Sequence, residues 1–166
     1  MRTLQKRNGG LTLRVLFEQE YKKIEKSLFL VAIGYLHNSE DAKDVMQEAA
    51  LSAYQNFSKL KYAEYFKTWM TRIVINKSKD FLKKQRYTEE LTDTLHIFYD
   101  LPTADLEIMD AVCKLDRKMS VYITLRFYND MTYKETAQLL KQPVSTVKYR
   151  TQLAMEKLKN LLEGGL

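Results

Sequence analysis

Apolar residues recur at steps of three and four along most of this chain, the period of a helix with one buried face. Leu16, Tyr21, Ile24, Leu28, Val31 and Tyr35 mark such a face and predict a helix over 12–36. Ala42, Val45, Met46, Ala49, Ala53 and Phe57 mark a second, with Asn38 or Ser39 available to cap its start. Phe66, Met70, Ile73 and Val74 form the apolar stripe of a third, which continues to residue 86. The period lapses over 87–105, an acidic stretch in which Leu101-Pro102 precedes a candidate cap at Thr103, and this is the predicted linker. Helices return at 104–115, 120–128, 132–141 and 144–162, and Gly164-Gly165 ends the pattern. Five glycines, two prolines and few alternating stretches predict an all-α chain of two small helical domains joined by an acidic linker. The boundaries read as a frayed basic arm at 1–10, a first domain at 11–86, the linker at 87–104 and a second domain at 105–166.

Charge sharpens this division. The net charge is +6, but residues 38–58 carry −3, residues 59–86 carry +7 and residues 87–116 carry −7. In 59–86, nine Lys or Arg stand against Glu64 and Asp80 alone. On a helix, Arg72, Asn76, Lys79, Lys83 and Arg86 fall on one stripe, the arrangement needed to follow a run of phosphates. Ahead of the stripe lie Tyr62, Tyr65, Phe66 and Trp69, and unpaired bases stack on exposed rings, with core packing as the alternative for these rings. On the preceding helix Asp41, Asp44, Gln47, Glu48 and Leu51 share a face. That face suits a basic partner with Leu51 as apolar anchor, and it equally suits the helix macrodipole with no partner.

Residues 132–153 have the spacing of a helix-turn-helix. Small Ala137 permits close helix crossing, Leu140, Val144 and Val147 are placed to fill the angle, and Pro143 suits the first turn of the second helix. That helix would present Ser145, Thr146, Lys148, Tyr149, Arg150 and Gln152, with Gln142 just ahead of it, all groups able to meet phosphates and base edges in a major groove. A hairpin that only packs is the alternative on spacing alone.

Other chemistry finds little footing. His37, His96 and Cys113 are scattered without the spacing of a metal site or of a nucleophile with its base, and no glycine-rich phosphate loop is present. No metal, cofactor or catalytic residue is expected. A single cysteine rules out an intramolecular disulfide and fits a reducing cytoplasm. The apolar run at 28–36 is too short to cross a bilayer, and the polar N-terminus lacks a signal-peptide pattern, so a soluble cytoplasmic protein is expected.

Three segments together, SEDAKDVMQEA at 39–49, FKTWMTRIVINKSKDFLKKQR at 66–86 and TYKETAQLLKQPVSTVKYR at 132–150, resemble an extracytoplasmic-function (ECF) sigma factor of the sigma-70 superfamily. The resemblance implies a region 2 domain that binds core RNA polymerase and the −10 promoter element, and a region 4 domain that reads the −35 element, with no catalysis. It matches Asp41, Asp44, Gln47, Glu48 and Leu51 to the motif that docks on the polymerase clamp. It matches the segment from Lys59 to Tyr65 to the loop that captures a flipped base, and Arg72, Asn76, Lys79 and Lys83 to the helix along the separated strand. Ser145, Thr146, Lys148, Tyr149 and Arg150 match contacts in the −35 groove. It further implies an anti-sigma partner, with no small-molecule substrate and no membrane insertion. Several positions depart from the family pattern. Leu115-Asp116 replaces Leu-Pro, Lys141 replaces the glycine of the turn, and Thr136 and Thr151 replace apolar residues. Leu153 and Met155 stand where cations are frequent, which implies fewer phosphate contacts there. Beside a promoter-specificity subunit of polymerase stand two other readings: an autonomous helix-turn-helix regulator, and an interaction protein with incidental basic charge.

Overall fold

The computed structural model describes residues 10–85 and 103–164, and within them the chain is helical, with no strand. Seven α-helices follow in order: α1 Gly10–Leu36, α2 Ser39–Asn56, α3 Phe66–Gln85, α4 Thr103–Lys114, α5 Arg117–Ile123, α6 Tyr133–Leu140 and α7 Val144–Leu162. Residues 1–9 of the arm predicted at 1–10, Arg86 and the predicted linker up to residue 102 lie outside the described residues, and Gly10 already belongs to α1.

α1, at about 1.5 Å per residue, is roughly 40 Å long and is the axis of the molecule. It packs against α2 and α3 and also meets α4, α5 and the turn after α5. The apolar run noted at 28–36 explains this double contact: Leu28, Leu30, Val31, Ala32 and Ile33 are all at most 1% exposed. A helix apolar on every side is stable only where neighbours cover it on every side. Gly34 lies at a close approach of the two halves, since a Cβ there would stand 2.6 Å from Thr124 Oγ1.

His37, in the left-handed region at φ 54, ends α1, and the Asn38 side chain caps α2 by accepting from the Asp41 amide. Of the two cap candidates, it is therefore Asn38 that caps. The predicted apolar face of α2 is buried at Ala42, Val45, Met46, Ala49, Ala53 and Phe57. Between α2 and α3, short 3-10 turns at Phe57–Lys59 and Ala63–Tyr65 carry the loop. Phe17, Phe57 and Phe66 meet edge to face beneath it, with centroids 5.3 to 5.7 Å apart.

α5 starts at Asp116, whose carboxylate accepts from the Lys118 amide at 2.8 Å. Asp thus opens the helix by capping it at the position where the family pattern carries proline. The predicted helix 120–128 is α only to Ile123 and widens into a π turn at Thr124–Tyr128. That turn carries Asn129 inward, 1% exposed, and its Nδ2 donates to Thr71 Oγ1 of α3 at 2.9 Å. A second cross-link joins His37 Nε2 and Ser120 Oγ, 2.9 Å apart. The Ser120 hydroxyl already donates to the Val112 carbonyl, so the imidazole N–H is the donor. One continuous apolar core runs through both halves, from Phe17 and Val45 to Met109, Leu125 and Leu158.

Candidate nucleic-acid and partner interfaces

On α2, Asp44, Gln47, Glu48 and Leu51 are exposed and Asp41 is half-buried, on the side opposite the core. Leu51 is 61% exposed, a large apolar side chain in the middle of an acidic and amide surface. Two of the acids also serve the fold: Glu48 pairs with Lys77 of α3 at 3.5 Å, and Asp41 accepts from Gln85 Nε2 at 3.4 Å. Both contacts are long and solvent-facing, so they set no strong barrier to exchange with another cation or amide.

α3 separates its polar residues by size. Small hydroxyls turn inward, where Thr71 and Ser78 donate to the carbonyls of Lys67 and Val74. The long side chains of Arg72, Asn76, Lys79 and Lys83 are exposed, at the steps of three and four expected from the sequence. At the head of this stripe, Tyr65 is 53% exposed and meets half-buried Tyr62 edge to face at 6.0 Å. Lys59 is exposed and donates to Asn56 Oδ1 at 2.7 Å. The aromatic triad of Phe17, Phe57 and Phe66 fixes the loop that presents these two tyrosines, a role for Phe17 that its place 45 residues ahead in the chain gave no means of reading.

In the second half, Thr132 and Glu135 form a reciprocal capping box that starts α6, and these hydrogen bonds hold the Glu135 carboxyl below the usual range. Lys141 occupies the left-handed region at φ 55, which is the physical reason glycine is usual at this turn. Pro143 sits at the cap position, one place ahead of the expected first turn. Ala137 and Val147 are buried and Leu140 is half-buried, as the helix crossing requires. Val144, expected to fill the angle, is instead 41% exposed, because the proline-led start turns the first residue of α7 outward.

Ser145, Lys148, Tyr149, Arg150 and Gln152 are exposed on α7, Tyr149 at 65%, and Thr146 and Gln142 are half-buried. Gln142 is not a free surface group: its Oε1 accepts from Tyr122 Oη at 2.6 Å and from Arg150 Nη1 at 3.4 Å. Lys148 Nζ lies 5.9 Å from the centre of the Tyr133 ring, and the Arg126 guanidinium 5.3 Å from it. Tyr122, Tyr133 and Arg126 escaped the sequence reading, since no periodicity links residues that belong to different helices.

No group of three or more His, Cys, Asp or Glu among the described residues could hold a metal ion. Burial, with a smaller push from Asp110, raises the Cys113 thiol to about 12, a protonated group without nucleophilic character. Among the described residues, no helix is long and apolar enough to cross a membrane.

The Sigma-70 region 2 family model matches residues 21–88, and the Sigma-70, region 4 model matches residues 105–158. The RNA polymerase sigma factor SigV of Bacillus subtilis is 26% identical over 80% of this chain and 82% of its own. The ECF RNA polymerase sigma factor SigW of the same organism is 31% identical over 81% of this chain and 82% of its own. This chain belongs to the ECF sigma factors.

The sigma factor is thus a transcription initiation factor that serves RNA polymerase in promoter recognition and melting. Its fold is similar to that of the sigma factor RpoE of Bartonella quintana, solved in complex with the anti-sigma factor NepR. The two share 19% identity, with a TM-score of 0.73 over 89% of this chain and 96% of the other. Region 2 of the sigma factor takes in most of α1 with α2 and α3, and region 4 takes in α4 to α7.

Proposed function

We propose that this sigma factor docks on core RNA polymerase through Asp41, Asp44, Gln47, Glu48 and Leu51, and contacts promoter DNA on two separate surfaces. Exposed Leu51, set among acids and an amide on α2, is the observation that carries the docking reading. Lys59, Tyr62, Tyr65, Arg72, Asn76, Lys79 and Lys83 act at the −10 element, with Arg86 as a further cation beyond the described residues. A base stacked on Tyr65 is withdrawn from the duplex, and cations along α3 neutralise the strand that carried it. Strand opening is then differential binding and needs no bond cleavage, so the protein is not an enzyme.

Ser145, Thr146, Lys148, Tyr149, Arg150 and Gln152 meet the −35 element from the exposed side of α7. Gln142 contributes through Arg150. The working units are a region 2 domain at 11–86 and a region 4 domain at 105–166, joined at 87–104. The protein acts in the cytoplasm, and an anti-sigma protein is its regulator, a reading supported by the partner in the Bartonella complex. Run-off transcription with purified core polymerase tests this: initiation is expected only when the chain is added. Asp44→Lys with Glu48→Lys is expected to abolish core binding, measured by co-elution, while helicity is kept. Wild-type affinity in that variant would remove the docking role.

A further inference from the structure

The contacts around the recognition helix point to Tyr122 as a positioning residue for DNA readout. We propose that its buried phenol holds Arg150 and Gln142 as a pre-aligned pair, an inference that rests on the reading of α7 as the DNA-facing helix.

Tyr122 is 3% exposed, and its ring belongs to the small core of the helix-turn-helix with Ala137 and Val147, packed by Tyr133 and Leu140. Only its hydroxyl reaches the surface side. There it donates to Gln142 Oε1 at 2.6 Å and accepts from Arg150 Nη1 at 3.0 Å, while the same Nη1 reaches Gln142 Oε1 at 3.4 Å. The three groups close a triangle that spans α5, the turn and α7. A tyrosine has two side-chain torsions, and burial among Ala137, Val147, Tyr133 and Leu140 restricts both here. The hydroxyl is therefore a fixed point in the frame of the fold.

The consequence falls on Arg150. An unrestrained arginine samples many rotamers and loses them on binding, whereas an anchored one has lost them already. Nη1 is engaged, which leaves the N–H groups of Nε and Nη2 for the paired recognition of a guanine edge. Gln142 has its acceptor oxygen occupied twice, so it cannot offer the donor and acceptor pair that reads adenine. It serves as the second anchor of Arg150. Lys148, two residues earlier on α7, is restrained in turn by its place over the Tyr133 ring.

The test uses the full chain with core polymerase on a promoter library randomised across the −35 element, with run-off transcripts sequenced. Tyr122→Phe removes one oxygen and leaves the ring in place. It is expected to relax base preference severalfold at the same one or two positions that Arg150→Ala relaxes, and the double variant should show no further loss. A phenol that only stabilised the fold would lower all promoters alike and leave the preference intact. If Arg150→Ala alters the preference and Tyr122→Phe does not, the positioning role is overturned and the DNA-facing reading stands. If neither alters it, Arg150 reads no base and both fall. Should Tyr122→Phe fail to fold, Gln142→Ala, at a half-buried surface position, is expected to relax those same positions. An unchanged profile in that variant overturns the inference.

Discussion

Thr136 carries an oxygen that the fold does not satisfy. It is 1% exposed and its Oγ1 has no hydrogen-bond partner, unlike Thr151, 2% exposed, whose hydroxyl donates to the Val147 carbonyl at 2.7 Å. Both departures from the family pattern were legible in the sequence, but only the contacts distinguish the costly one from the satisfied one. Thr136→Val keeps the shape and removes the orphan group, and is expected to raise the unfolding free energy by about 1 kcal/mol in urea titration. His37 gives a second expectation. Burial, with Arg117 beside it, lowers the imidazole to about 4, against a weaker opposite pull from Asp116. An unfolded histidine protonates near pH 6.5, so below that value the unfolded state takes up the proton first. Stability from this group is complete above about pH 6.5 and is lost as pH falls toward 4, by on the order of 1 kcal/mol after solvent screening. His37→Asn, which tolerates the positive φ, is expected to flatten that part of the profile relative to wild type.

Among the elements, α2 and α3 are where sequence and structure agree most closely. Their apolar faces, the α2 cap and the exposed cation stripe were all readable, because each depends on spacing within one helix. Lys77 of α3 also reaches Glu48 of the α2 face at 3.5 Å, in a solvent-facing pair. Lys79→Ala with Lys83→Ala leaves that pair untouched and removes two exposed cations. Open-complex formation should weaken, and the slope of its logarithmic dependence on salt should fall by roughly 1 to 2, as phosphate contact predicts. An unchanged slope would take the stripe off the DNA. The helix-turn-helix was legible as spacing, and its misread part, Val144, follows from the proline-led start, which no periodicity encodes.

At the scale of the whole molecule, the two halves share one core, closed by Asn129 to Thr71, His37 to Ser120 and the contact of Gly34 with Thr124. A compact chain of this length has a radius of gyration of about 15 Å. Promoter elements centred roughly 25 base pairs apart lie about 85 Å from each other along the duplex. The proposed −10 and −35 surfaces therefore meet their targets together only after the halves part. Lys67 and Asp130, an exposed ion pair across the interface at 3.7 Å, mark where to test it. Cysteines at both positions, in a Cys113→Ala background and joined by a short bis-maleimide, are expected to block run-off initiation, whereas the unlinked variant should initiate normally. Initiation by the linked protein would mean that the closed form is the working one. The sequence by itself determined the helices, their buried faces, the charge of their outer faces and the kinship, since all of these are written in residues three or four apart. Only the tertiary structure decided that the two halves share a core, that Tyr122 meets Arg150, and which of the replaced residues find partners, because those facts join positions whose distance along the chain carries no period.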